Sequence, residues 1–165
     1  MKEKIIRVLF LCTGNSARSI LGECILNRLG QGSFIGYSAG SQPKGEIFPS
    51  VQIFLEHKNY DTSELRSKVW DEFAEVGAPE IDFVFTVCDN AAAEVCPVWP
   101  GHPLTAHWGV PDPATFVGTE VESQEFVASV YDLLQTRIKA FLDIPFESLD
   151  QSSLKKRLDA IGASD

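Results

Sequence analysis

An apolar run from Ile5 to Leu11 stops abruptly at Cys12, and six positions later Arg18 leads into a helical pattern from Ser19 to Leu29. That order constrains the chain more than any other stretch: it reads as strand, tight loop, helix. The loop holds Thr13, Gly14, Asn15, Ser16 and Ala17. Glycine and asparagine reach unusual backbone angles at little cost. A short loop feeding a helix N-terminus turns several backbone N–H groups inward and forms a nest for an anion. Arg18 adds a planar fork of donors suited to a tetrahedral oxyanion. Cys12 stands at the mouth of that cradle. The helix N-terminus and Arg18 both favour thiolate, so its pKa is expected well below the ordinary value of ~8.5.

A cysteine ending a buried strand is most often a small hydrophobe. That reading covers Cys12 alone and leaves Gly14, Asn15, Arg18 and Ser19 at the same junction unexplained. A low-pKa nucleophile beside an oxyanion nest instead points to attack on the central atom of a phosphate-like anion.

The remaining segments alternate. Phe34–Ser38 reads as a second strand and Phe48–Lys58 as a helix opened by Pro49. Residues from Ser67 to Ala74 suggest a short helix. Ile81–Val87 is a third strand ending at Cys88, Ala91–Glu94 one helical turn, and Thr105–Val110 a fourth strand. Val127, Val130, Leu134, Ile138 and Phe141 recur at helical spacing within Val121–Leu142, and Ser153–Ile161 forms a polar C-terminal helix. Strands alternating with helices predict right-handed crossovers. The expected fold is α/β: one domain, a doubly wound four-stranded parallel sheet with helices on both faces. Residues 1–145 would form the main unit and 146–165 a C-terminal helical extension. Ligands of such sheets bind at the carboxyl ends of the strands. Cys12 and Cys88 both follow a strand directly, so both fall at that edge.

With 165 residues the chain can bury a real core. Its net charge of −9 argues against nucleic acid as a partner, and any oxyanion site must be positive locally against that field. No run approaches a membrane helix, and no secretory h-region follows the N-terminus. A cytoplasmic protein is expected. Four cysteines then favour redox or metal chemistry over a disulfide scaffold. His57, His102 and His107 show no zinc spacing, no cofactor is implied, and Cys24 reads as packing.

The run Cys12-Thr13-Gly14-Asn15-Ser16-Ala17-Arg18-Ser19 resembles the low-molecular-weight protein tyrosine phosphatase superfamily, and within it the arsenate reductases more than the phosphatases. The resemblance covers about Ile5 to about Ala140 and implies the low-molecular-weight phosphatase fold. It implies that residues Thr13 to Ser19 bind the oxyanion, arsenate, with phosphate or sulfate as analogues, and that Arg18 is catalytic. Asp112, in Val110-Pro111-Asp112-Pro113, matches the general acid; alone it would read as an ordinary turn aspartate. Cys88 and Cys96, eight positions apart, resemble the cysteines that relay a disulfide. Cys12 would attack arsenic, Cys88 would attack Cys12, and Cys96 would attack Cys88, the loop between them unwinding on oxidation. Thioredoxin or glutaredoxin would be the reductant, with glutathione or mycothiol as resolving thiol in a variant of the scheme. Asn15, Glu23 and Ser38 match positions that bind potassium in some relatives; here Lys68, or Arg66, would stand in for the metal. A monomer is expected, with residual phosphatase activity. Two other functions stay open: a tyrosine phosphatase using Trp99, Trp108 and Phe116 as an aromatic rim, and a non-catalytic oxyanion-binding module.

Overall fold

A computed structural model describes residues 4–88 and 99–163. Cys96 and the expected turn Ala91–Glu94 lie outside the described residues.

Four strands form one parallel sheet: β1 (Ile6–Leu11), β2 (Phe34–Ala39), β3 (Phe83–Thr86) and β4 (Leu104–His107), in the order β2-β1-β3-β4. The strand Val8–Leu11 is fully buried on both faces, as its unbroken apolar run predicts for a central parallel strand. The connection from β1 leads to a neighbour on one side, and the connection from β2 crosses back over β1 to β3. The order therefore reverses between β1 and β3, and a crevice opens there at the carboxyl ends of the strands. Cys12 follows β1 and Cys88 lies two residues beyond β3, so both cysteines border that crevice.

The two faces carry different loads. Val8 and Phe10 point into a core shared with α1 (Arg18–Leu29), α2 (Pro49–His57), α3 (Glu120–Leu142) and α4 (Gln151–Gly162). Phe85 stacks on Trp108 at 3.9 Å, and Phe141 meets both edge-on. Leu9 and Leu11 point the other way, onto Trp70, Phe73 and Trp99. On this second face the helix among the described residues is a single 3-10 turn, Trp70–Phe73.

That turn is shorter than the expected Ser67–Ala74 helix for a physical reason. Gly40 N–H donates to Lys68 O and Trp70 N–H to Gly40 O, so residues 68–70 are drawn into extended pairing beside β2. β4 likewise ends at His107, before the expected Val110. The chain still runs on beside β3, with Trp108 N–H donating to Thr86 O and Val110 N–H to Val87 O. This irregular tail delivers Pro111-Asp112-Pro113 to the crevice.

α3 opens with a reciprocal capping box between Thr119 and Glu122. Asp150 caps α4 by accepting from Ser153 N–H. α4 then docks against β4: Trp108 Nε1 donates to Leu158 O at 3.0 Å and Lys155 Nζ to Thr105 O. A covered edge strand is protected from pairing with another chain.

Candidate functional site

The loop between β1 and α1 is held from outside by its own carbonyls. Gln42 N–H donates to Thr13 O at 3.0 Å, Lys44 N–H to Gly14 O at 2.9 Å and Phe48 N–H to Ser16 O at 2.9 Å. The segment after β2 thus laces onto the loop. Gly40 makes that approach feasible, because a Cβ there would stand 2.4 Å from both Cys12 O and Thr13 O. Asn15 takes a left-handed conformation at φ 44°, which asparagine tolerates. Its buried side chain donates to Ser19 Oγ at 2.8 Å and accepts from Lys68 N–H at 2.8 Å. With the carbonyls tied outward, the N–H groups of residues 15–18 donate to no acceptor among the described residues. That is the donor set of an anion nest at a helix N-terminus.

A cavity of about 200 Å³ lies inside this loop. Cys12, Thr13, Gly14, Ser16, Ala17 and Arg18 line it from the loop, and Gln42, Lys44, Asp112 and Ala114 from two flanking segments. Arg18 is oriented by two bonds: Nη1 donates to Val110 O at 3.2 Å and Nη2 meets Asp112 Oδ2 at 3.2 Å. Its buried Nε–H has no hydrogen-bond partner among the described residues, so the Nε–Nη2 edge is the one that can turn to an oxyanion. Asp112 is aimed by its other oxygen, which accepts from Ala114 N–H at 2.9 Å. The two prolines flanking Asp112 stiffen this arm.

Of the expected oxyanion residues, Asn15 and Ser19 do not line the cavity. Both are fully buried and bonded to each other; they brace the loop from beneath. Gln42 and Lys44 are absent from the sequence-based expectations. Their stretch carries only turn signals, and its place at the site comes from the lacing onto the loop.

Cys12 is 5% exposed and Cys88 2%. Thr13 N–H donates to Cys88 Sγ at 3.4 Å, and Thr13 Oγ1 lies 3.7 Å from the same sulfur. The second cysteine therefore stands against the residue next to the nucleophile. This contact reverses one expectation. The Cys12 thiol is pushed far up, first by its hydrogen bond with Cys88 and then by burial, while Arg18 and the Gly14 N–H pull it down. The sequence shows the two influences that lower the pKa; the two that raise it are tertiary. Cys24 packs inside the α1 face, where burial pushes its thiol up to about 12.

Beneath the loop, Lys68 Nζ donates to Arg66 O at 2.8 Å and Ser38 Oγ at 3.4 Å, and lies 3.7 Å from Glu23 Oε1. Burial lowers its pKa, with Glu23 opposing that shift. Arg66 turns away, to Glu72. No cluster of three His, Cys, Asp or Glu able to hold a metal occurs among the described residues. The rings suggested as an aromatic rim are elsewhere: Trp99 and Trp108 are buried, and Phe116 stacks on Phe126 at 4.8 Å.

A cysteine and an arginine at the two ends of a loop between a parallel strand and a helix, with a carboxylate brought over it, define the class of cysteine-based oxyanion enzymes. Residues 7–158 match the model of the low molecular weight phosphotyrosine protein phosphatase family, and the chain belongs to that family of enzymes. The arsenate reductase of Bacillus subtilis is 36% identical over 143 residues, 87% of this chain and 98% of its own. An arsenate reductase solved in its phosphate-binding state superposes with a TM-score of 0.66 at 22% identity, over 84% of this chain and 97% of that one. The thioredoxin-dependent arsenate reductase of Corynebacterium glutamicum gives 0.56 at 24% identity, over 84% of this chain and 64% of its own. At these identities the two structures speak for the fold. No helix among the described residues is long and apolar enough to cross a membrane.

Proposed function

We propose that the protein reduces arsenate to arsenite. The observation that carries this reading is the Cys88 sulfur held against Thr13, beside the nucleophile Cys12 and the anion cavity. Hydrolysis of a phosphate ester needs no second thiol, whereas reduction needs two electrons, and a pair of thiols supplies them on forming a disulfide. The relatives named arsenate reductases support the same reading, and so does a cavity whose described lining contains no aromatic ring for a phosphotyrosine.

Arsenate binds on the N–H groups of the loop and the Nε–Nη2 edge of Arg18, displacing Asp112 from the guanidinium. Cys12 thiolate attacks arsenic, a hydroxyl group of the arsenate leaves, and Asp112 gives it one proton, so water departs. Cys88 thiolate then attacks Cys12 Sγ. The electron pair of the S–As bond stays with arsenic, which falls from As(V) to As(III) and leaves as arsenite. A Cys12–Cys88 disulfide remains. Cys96 attacks Cys88, frees Cys12 and leaves Cys88–Cys96 for a thioredoxin-type dithiol to reduce. The cytoplasm, where thiols stay reduced, suits this cycle.

Purified protein given arsenate, a thioredoxin system and NADPH tests the scheme. Turnover in wild type, lost in Cys88→Ser and Cys96→Ser, is the expected result. Turnover with glutathione and glutaredoxin that survives Cys96→Ser would keep the reduction and change the partner. Inactivity in both systems with brisk hydrolysis of an aryl phosphate would overturn the reductase reading.

A further inference from the structure

The anion site has a charge problem that Arg18 alone does not solve. The chain carries a net charge of −9, and the Arg18 guanidinium is itself paired with Asp112 at 3.2 Å. A multiply charged tetrahedral anion entering this cavity meets a nest of N–H dipoles and one shared cation. Among the described lining residues one further cation is present, Lys44.

Its placement is built into the fold. Lys44 N–H is tied to Gly14 O at 2.9 Å, so its backbone rides on the loop. Its side chain lies across Gly14: a Cβ on that glycine would stand 3.2 Å from Lys44 Cε and 3.4 Å from Cγ. Gly14 thus leaves a bed for the lysine methylenes, and Lys44 lines the cavity from there. Lys44 forms no ion pair among the described residues. A flexible stem with a strongly hydrated point charge suits capture and release better than rigid bidentate holding.

We propose that Lys44 is a specificity-determining residue of the anion site, whose ammonium adds the second positive charge that a small inorganic dianion requires. The inference rests on the oxyanion reading above and deepens it, since a monoanion or a bulky ester gains less from a charge at the rim than a compact dianion does.

Lys44→Gln keeps the backbone bond to Gly14 and removes only the charge; Lys44→Arg keeps the charge. Two readouts separate this proposal from the reductase reading. The first is protection of Cys12 from iodoacetamide by inorganic phosphate, which requires binding and no turnover. The second is steady-state arsenate reduction. In Lys44→Gln the phosphate concentration giving half protection and the KM for arsenate should both rise about tenfold, with kcat changed less than about twofold. The dependence of kcat/KM on salt should flatten, and Lys44→Arg should resemble wild type. Unchanged phosphate protection in a Lys44→Gln variant that melts like wild type would overturn the proposal, as would a fall in kcat at constant KM. Intact, Lys44-dependent protection without arsenate turnover under any thiol system would instead defeat the reductase reading and leave Lys44 as the anion's second cation.

Discussion

Removing the Cys88 sulfur should make Cys12 more acidic. The hydrogen bond between the two thiols is the largest influence raising the Cys12 pKa, and Arg18 and the Gly14 N–H stay behind when it is gone. In Cys88→Ala, the pH midpoint for alkylation of Cys12, followed by mass spectrometry of its peptide, should fall by at least about one unit. A midpoint that stays put or rises would mean that burial alone sets the value. This residue also shows where sequence reading stops. Cys12, Arg18 and the loop between them sit in one local pattern, so their meeting is legible. The sign of the Cys12 shift is not, because it depends on a sulfur 76 positions away. Lys68 gives a second test at this scale. Its ammonium supplies the local positive charge beside Glu23 Oε1 and Ser38 Oγ, so activity and melting temperature should be equal in potassium and sodium salts of equal ionic strength. Lys68→Met, which strands the Glu23 carboxylate, should cost about 2–3 kcal/mol of stability in urea unfolding. A potassium-specific rise in wild-type activity would show that the ammonium does not do the work of a metal ion.

The elements were legible in their centres and less so at their ends. α3 stood out because five apolar residues, Val127 to Phe141, repeat at helical spacing over about four turns. The segment 67–74 has helix-forming residues, but its backbone bonds are taken by Gly40, and no local pattern reports a partner 28 positions away. The same pairing brings Lys68 beneath the loop and presses Gly40 against the carbonyls of Cys12 and Thr13. Gly40→Ala is therefore a test of the element rather than of one side chain. Its Cβ would sit 2.4 Å from two backbone oxygens, so either β2 or the anion loop must move. Overpacking of this kind costs about 1–3 kcal/mol, which urea unfolding would read as a moderate loss. Displacing a preorganised loop by a fraction of an ångström should cost more in function, about 100-fold in kcat/KM. Activity close to wild type in a variant with the expected stability loss would mean that β2, and not the loop, had yielded.

At the scale of the whole molecule, alternation of strand and helix predicts the parallel sheet, and the sheet predicts which edge carries the site. What it does not supply is the uneven cover, four α-helices on one face against a 3-10 turn and Trp99 on the other among the described residues, because both faces of β1 are equally apolar in sequence. The crowded face buries Cys24, and this gives the folded state a measurable alkaline weakness. Burial pushes the Cys24 thiol up to about 12 from 9.0. Above about pH 9 the unfolded chain loses this proton while the folded chain keeps it, so the folded state binds more protons and stability falls as pH rises. The contribution is intact below about pH 9 and is withdrawn between about pH 9 and about pH 12, with a limiting slope of about 1.4 kcal/mol per pH unit. Cys12 shifts the same way and adds to the loss. Cys24→Ala should start lower at neutral pH by about 1 kcal/mol for the lost packing. Its stability should then decline less steeply, so that the two curves approach and cross on the alkaline side. Urea unfolding under reducing conditions at several pH values from about 8 to about 10.5 reads both slopes. Parallel curves would show that Cys24 ionises in the folded protein as easily as in the unfolded one, and that the α1 face is open enough to solvate a thiolate.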